Sequence, residues 1–349
     1  MDNCELIDNS KKAIEEFILD GDTTGLYRQW CTILKDSLSN NDDDIDSRID
    51  LMNFLYLMER IIKNGFNKQR AKIEYIQTQM GVLRAEMLDV MSQQKKIFQV
   101  RGAYEGNKKI CYLDQNIFTP YINGNDIPIE IPNDYLVVYS PAHIEEVSKS
   151  PKEFHEKELN NISQKLNDLE ILFRDDVAAV VYESPQIVYK RVNDGTKSRE
   201  LAEDYKILQD QFEECILGEY RTDKRRQEYN SKSPDTFLVD HEDLVNEVLC
   251  KMHRTYRLQD IMEVNGSSDY RIINQYIHDL YMVLDICGVK KDNKERKIRS
   301  SRLDIEHLLY ASNAQMFVTD DTKLRCRAIN IFSVLGKDIK CPILENKLE

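Results

Sequence analysis

Apolar residues recur at steps of three and four over much of the first hundred residues, which is the spacing of helices with one buried face. Between residues 67 and 98 the chain has no proline and a single glycine, Gly81. A seam of nearly heptad spacing runs through that stretch, formed by Ile73, Ile76, Met80, Leu83, Met87 and Met91. We therefore predict an N-terminal helical region over residues 1–107 that contains a long helix at about 67–98.

Two later segments carry similar apolar seams, one over residues 157–172 and one over residues 201–215. Each seam lasts only about two to three heptads, which favours helices that pack on one another within the chain. The alternative is a helical surface that binds a protein partner or a second copy of the chain.

The pattern changes near residue 108, where short runs rich in aromatic and β-branched residues begin. Helical segments separate these runs, and strands that alternate with helices favour an α/β fold with a mostly parallel sheet and helices on both faces. The predicted strands are "ICYL" (110–113), "YLVVYS" (135–140), "MFVT" (316–319) and "IKCPIL" (339–344).

Residues of about 150–290 have a mostly helical pattern, and strand-like sequence resumes after them. We expect this stretch to be a large, mostly helical insertion in an α/β domain that spans residues 108–349. One hairpin is predicted inside it, at "VAAVVYESPQIVYKRV" (177–192).

Acidic residues follow two of the predicted strands directly. Asp114 ends the first strand, and Asp320 and Asp321 end the strand at 316–319. The carboxyl ends of parallel strands meet at one edge of a sheet, where binding crevices form. These side chains are therefore expected to lie close together.

Two predicted helices add acids near their starts. Ser140 is suited to cap a helix that carries Glu145 and Glu146, and Ser301 stands three residues before Asp304. Taken singly, each acid has a simpler explanation as a turn residue, a cap or a solvated helix residue. Their common type, order and position at strand–helix junctions together favour a shared site.

Clustered carboxylates repel one another unless a cation neutralises them. The eight cysteines are scattered, with no closely spaced Cys/His set, so zinc is disfavoured. Oxygen ligands alone point to Mg²⁺ or Mn²⁺, and such sites commonly serve phosphoryl chemistry.

The segments "YLDQN", "SPAHIEEV" and "LDIEHLLYASNAQMFVTDD" resemble the PIN (PIN-like) domain, a metal-dependent nuclease family with a Rossmann-like, mostly parallel sheet. The resemblance covers residues 109–147 and 300 to about 335. The matching positions, in chain order, are Asp114 and Asn116, Ser140 and Glu146, Asp304 and Ala311, and Thr319 and Asp321.

The resemblance implies roles for these residues. Asp114, Asp304, Asp321 and Glu146 would be the catalytic, metal-holding acids. Asn116, Thr319 and Asp320 would lie behind them and hold the carboxylates in place. The implied activity is metal-dependent hydrolysis of phosphodiester bonds in nucleic acid, with RNA favoured over DNA, by water activated at Mg²⁺ or Mn²⁺.

The net charge of −13 argues mildly against a protein that coats nucleic acid, but the charge is uneven. The run "KKDNKERKIRSSR" (290–302) holds seven basic and two acidic residues and leads into the helix of Asp304. We predict that Lys297, Arg299 and Arg302 contact substrate phosphates; a solvated loop is the alternative.

No apolar run is long enough to span a bilayer and no signal peptide is visible, so a cytoplasmic protein without a membrane partner is expected. Two rival functions stay open. One is an inactive PIN-like scaffold that binds RNA or protein through its helical regions. The other, which we disfavour, is a metal-independent ribonuclease similar to the HEPN family, with Arg302 and His307 as its active residues.

Overall fold

A computed structural model describes residues 3–37, 45–93, 99–174, 177–193, 227–230, 234–252, 254–264, 269–290 and 301–344, together with residues 201, 204, 205, 207, 208, 211, 212 and 215. The chain divides into two compact units. One unit consists of Met1–Gln94 with Thr196–Glu219, and the other of Lys95–Gly195 with Tyr220–Glu349. The sequence prediction had assigned residues 196–219 to the insertion in the α/β domain.

The helices of the first unit whose bounds are described are α1 (Asn3–Asp20), α2 (Thr23–Ser37), α3 (Ile45–Lys63) and α4 (Lys68–Gln93). The last corresponds to the long helix expected at about 67–98. Apolar residues on the facing sides of the helices form the core, among them Leu6, Ile14, Phe17, Leu26, Ile33, Phe54, Met58 and Ile61.

The second unit begins with strand β1 (Lys109–Leu113), helix α5 (Gln115–Ile122), strand β2 (Tyr135–Val138), and helices α6 (Pro141–Lys149) and α7 (Lys152–Leu166). Strands β3 (Leu169–Arg174) and β4 (Val177–Tyr182) and helix α8 (Pro185–Asn193) follow. After a short 3₁₀ turn come α9 (Phe237–Asp240), α10 (Glu242–Lys251), α11 (Leu258–Glu263) and α12 (Tyr270–Ile286). Helix α13 (Ser301–Ala311), strand β5 (Met316–Val318) and helix α14 (Thr322–Val334) complete the described elements.

The sheet at the centre of this unit has the order β2–β1–β5, and both pairings are parallel. Lys109 is paired with Tyr135 at one end of β1, and Leu113 with Val318 at the other. Residues 111–113 of the central strand are buried, which explains their unbroken apolar character. The α/β class with a small parallel sheet, expected from the sequence, is confirmed.

The hairpin prediction at 177–192 is wrong in its second arm. Strand β4 pairs in antiparallel fashion with β3, which lies before it in the chain, and Pro185 opens helix α8. A proline is well suited to the first turn of a helix, because the backbone N–H groups there have no hydrogen-bond partner within the helix. The valines and the isoleucine of the second arm suggested a strand. In the structure, Val188 is instead a buried residue of helix α8.

The helical seam predicted over residues 157–172 is also interrupted. Helix α7 ends at Leu166 because Asn167 and Asp168 adopt left-handed backbone conformations, with φ of 53° and 60°. Leu169 and Leu172 therefore belong to strand β3, and their helical spacing was coincidental.

The strand predicted at 339–344 is reduced to one parallel bridge between Met316 and Lys340. Pro342 lacks an N–H group and cannot continue a ladder. Among the residues that the structure describes, no helix is both long enough and apolar enough to cross a bilayer.

Candidate functional site

The carboxyl ends of β1 and β5 are held together at the edge of the sheet where the acids were predicted. The Asp114 N–H donates to the Val318 carbonyl over 2.8 Å, so the first residue after β1 is fixed beside the last residue of β5. Asp114 then serves as the N-cap residue of α5 with an extended backbone. Its side chain is only 6% exposed.

Thr319 connects two of the predicted acids. Its Oγ1 donates to Oδ2 of Asp114 over 2.9 Å and accepts from the Asp321 N–H over 3.1 Å. The threonine is buried, so this hydroxyl bridge is shielded from water. Of the residues predicted to hold a carboxylate in place, Thr319 makes the contact directly.

Asp321 caps helix α14. Its Oδ1 accepts from the N–H groups of Lys323 and Leu324 over 2.7 and 3.2 Å, which fixes the side chain at the end of β5. Asp320, the residue before it, is exposed. The sequence Thr319-Asp320-Asp321 therefore presents one buried hydroxyl and two carboxylates at this edge.

Asp304 approaches from helix α13. Its Oδ2 accepts a hydrogen bond from the hydroxyl of Tyr281, on α12, over 2.9 Å. The guanidinium of Arg327, on α14, stacks over the Tyr281 ring with 4.3 Å between its Cζ atom and the ring centroid, and forms an ion pair with Asp285. The Tyr281 side chain thus contacts both the Asp304 carboxylate and the buried Arg327 guanidinium.

The acids influence one another electrostatically. Burial raises the pKa of Asp114 to about 7; hydrogen bonds from Thr319 and Gln115 oppose the shift, and the charges of Asp304 and Asp320 add to it. Burial also raises the pKa of Asp304 to about 6. The Tyr281 hydrogen bond and Arg327 oppose that second shift, whereas the charges of Asp321 and Asp285 add to it. Acids far apart in sequence therefore share one region of the unit.

Other predicted site residues are placed differently. Asn116 is exposed at the start of α5, and its side chain makes no hydrogen bond to Asp114 among the described residues. Glu146 lies on α6, where burial raises its pKa and Lys149 opposes the shift. Lys297 and Arg299 lie outside the described residues, as does the side chain of Arg302.

A buried polar network lies behind Asp114, and its hydrogen bonds were not predicted from the sequence. Nε2 of His143 donates to the Leu113 carbonyl over 2.8 Å, and Nδ1 accepts from the Ser140 N–H over 3.0 Å. The imidazole is therefore neutral, and burial lowers its pKa. His143 fixes the peptide that immediately precedes Asp114. The only sequence signal was its place three residues after the cap Ser140.

Tyr112 extends this network. Its hydroxyl lies 2.7 Å from Oγ of Ser140 and 2.8 Å from Nδ1 of His307. His307 is 2% exposed, and burial lowers its pKa to about 3. Both histidines near the acids are therefore neutral packing groups at physiological pH.

The donor chemistry of the site fits Mg²⁺ or Mn²⁺, which prefer oxygen ligands. Asp114 and Asp304 are largely buried, and each is hydrogen-bonded by a neutral hydroxyl. In the described part of the chain, no lysine or arginine forms an ion pair with either. Asp304 experiences the more distant positive charge of Arg327, and a buried carboxylate without a directly paired cation is costly. The described residues nevertheless contain no group of three or more Asp, Glu, His or Cys side chains gathered closely enough to hold a metal ion.

Comparison of the chain with protein-family models, with curated proteins and with solved structures gives no match.

Proposed function

We propose that the protein is a metal-dependent, PIN-like nuclease that hydrolyses phosphodiester bonds, with RNA as the favoured substrate. One observation carries the proposal: Asp114 and Asp304 are buried carboxylates without an ion-pair partner among the described residues, and the charge of Asp304 raises the pKa of Asp114. Such an arrangement is stabilised by a cation from solution. The preference for RNA and the PIN-like fold rest on the resemblance alone.

In this proposal, Asp114 and Asp304 hold Mg²⁺ or Mn²⁺, with Asp321 and Glu146 completing the acid set. The bound ion activates water and neutralises charge on the phosphate. Thr319 and Tyr281 orient the two buried carboxylates through their hydroxyl groups, and His143 fixes the backbone before Asp114.

The other predictions made from the sequence are proposals of the same kind. Lys297, Arg299 and Arg302 contact substrate phosphates, and Asn116 and Asp320 help to hold the metal-binding carboxylates in place. The helical regions are available for a protein partner or a second copy of the chain. We place the activity in the cytoplasm.

The test is a cleavage assay on single-stranded RNA and single-stranded DNA, with Mn²⁺ or with EDTA. We expect cleavage with Mn²⁺, loss with EDTA, and recovery when Mn²⁺ is restored in excess. Cleavage that persists in EDTA would instead support the metal-independent mechanism. The burial of His307 gives that mechanism little support, because the imidazole does not reach the surface.

A non-enzymatic scaffold is the second candidate. The observation that favours it is the absence of a ready-made set of three ligands among the described residues. A protein that binds no Mn²⁺ by calorimetry and cleaves neither nucleic acid, yet retains RNA in a binding assay, would establish the scaffold in place of the nuclease.

A further inference from the structure

A cavity of about 590 Å³ lies at the opposite end of the sheet from the acids. It is lined by the start of β2, by the chain between α5 and β2, and by the junction of α7 with β3. The paired residues Lys109 and Tyr135 mark this end of the sheet. Four to five residues of strand, about 15 Å, separate it from Asp114.

One side of the cavity lies at the start of β2, before the point where β2 and β3 meet. The two strands are joined by a bridge between Tyr139 and Glu170, with hydrogen bonds of 3.1 and 2.8 Å on either side of it. Before that bridge, residues 135–137 and Leu169 line the open space between the strands. The opening is thus part of the fold.

The chain between α5 and β2 forms one wall. Ile127, Ile129 and Ile131 alternate along it, line the cavity and pack against the core of the unit. Pro128 and Pro132 restrict the backbone on either side of the last two isoleucines. An apolar wall that is already anchored requires little ordering when a ligand binds.

Two lysines supply positive charge to this cavity. Lys108 and Lys165 both line it and are exposed. Among the described residues, neither ammonium group is paired with a carboxylate. Asp126 is the acidic residue of the lining, so the cavity carries a net positive charge. In a chain with net charge −13, this local reversal of sign favours an anionic ligand.

An aromatic ring lies beside one of these lysines. Nζ of Lys165 lies 4.9 Å from the centroid of the Tyr121 ring, and both residues line the cavity with Tyr135. Asn125, Asn133 and Asn167 add amide donors and acceptors to the same lining. Rings, amides and ammonium groups suit the base, ribose and phosphate of a nucleotide, respectively.

We propose that this cavity binds a single nucleotide unit, with the base against Tyr121 and the phosphate between Lys108 and Lys165. The volume lies within the range of small-molecule sites, which is about 300–1,000 Å³. The unit is either a free mononucleotide or one residue of a nucleic acid strand. The cavity is separate from Asp114 and Asp304 and does not depend on the proposed nuclease activity.

The experiment measures binding to the full chain by ligand-observed NMR in the presence of EDTA, which removes any contribution from a divalent ion at the carboxylates. The probes are adenosine 5′-monophosphate, uridine 5′-monophosphate, a short oligoadenylate and inorganic phosphate. The variants are Lys165→Glu, Lys108→Glu and Tyr121→Leu. Lys152→Glu is the matched control, because Lys152 is an exposed residue of the same helix as Lys165 and does not line the cavity.

We expect nucleotide binding by the wild type, weakened by about tenfold or more in each lysine variant and unchanged in Lys152→Glu. Tyr121→Leu should weaken the nucleotides without changing weak binding of inorganic phosphate. If the oligoadenylate alone binds with this dependence, the occupant is part of a strand; if the mononucleotides bind as well, a free nucleotide suffices. The proposal is overturned if no nucleotide probe binds, if inorganic phosphate binds as tightly as the nucleotides, or if Lys165→Glu and Lys152→Glu behave alike.

Discussion

The hydroxyl of Thr319 donates a hydrogen bond of 2.9 Å to the carboxylate of Asp114, and the two residues are 205 positions apart in the chain. The same hydroxyl accepts from the Asp321 N–H. The Thr319 side chain therefore connects the residues that follow the neighbouring parallel strands β1 and β5. We infer that the Thr319 hydroxyl fixes the position of the Asp114 carboxylate.

Replacing Thr319 with valine keeps the branched shape and removes the bridge. We expect a loss of about 1–3 kcal/mol in the free energy of unfolding, because Asp114 and the Asp321 N–H each lose a buried partner. If Asp114 holds a divalent ion, Mn²⁺ affinity should also fall by about 10–100-fold in a calorimetric titration. Thr319→Ser is the control that retains the hydroxyl. Equal Mn²⁺ affinity in the valine and serine variants would contradict the role given to the bridge.

Tyr281→Phe tests the orientation of Asp304. The ring that stacks with Arg327 remains, and the hydrogen bond to the Asp304 carboxylate is lost. That bond lowers the pKa of Asp304, so its loss should raise this pKa and move the onset of Mn²⁺ binding to higher pH. The measurement is a series of Mn²⁺ titrations between pH 5 and 8. Tyr276→Phe, the same change on the same helix, should leave the pH dependence as it is in the wild type.

The burial of Asp114 has a consequence for stability in the absence of metal. Its pKa of about 7 in the folded protein lies above the value of an unfolded aspartate, about 4. The folded state therefore binds the proton more tightly, and the stability that Asp114 contributes below pH 4 is lost as the pH rises to 7 and beyond.

Asp114→Asn removes this titration and retains an oxygen that can accept from Thr319. We expect the free energy of unfolding of the variant, relative to the wild type in EDTA, to increase by on the order of 3–4 kcal/mol between pH 4 and pH 8. Denaturant unfolding at several pH values measures the difference. A difference that stays constant with pH would show that Asp114 is not buried as an unpaired acid.

A second set of buried charges, away from the site, is expected to be structural. Arg191 forms ion pairs with Glu170 and Glu183, at 3.2 and 2.9 Å, and both carboxylates are fully buried. Arg191→Met should cost about 3–5 kcal/mol, because it leaves two buried acids without their cation. Lys190→Met, at the exposed neighbouring position, should change the free energy of unfolding by less than about 0.5 kcal/mol. Similar losses in the two variants would contradict this assignment.

The sequence was informative where local chemistry decides structure. Three apolar runs were correctly predicted as strands, and the cap Ser140 follows from residue type and position. The junctions that carry Asp114 and Asp304 were identified by the same means. The parallel pairing was expected from the alternation of strands with helices, whereas the strand order β2–β1–β5 was not predicted.

Tertiary partners were not predictable from the sequence. Tyr281 lies in a helix that is buried on several sides, so its spacing does not single out the contact with Asp304. The left-handed backbone at Asn167 and Asp168, which ends α7, is fixed partly by long-range contacts. Asp168 accepts from Ser163 over 2.5 Å and pairs with Arg101, 67 positions away in the chain.

In the proposed mechanism, the carboxylates of Asp114 and Asp304 hold the divalent ion used for phosphodiester hydrolysis. The most direct test is the rate of single-stranded RNA cleavage as a function of Mn²⁺ concentration, for the wild type, Asp114→Asn and Asp338→Asn. Asp338 is an exposed acid and serves as the matched control. We predict Mn²⁺-dependent cleavage that falls by on the order of 10²-fold or more in Asp114→Asn and is unchanged in Asp338→Asn. Equal rates in the wild type and Asp114→Asn would contradict the account.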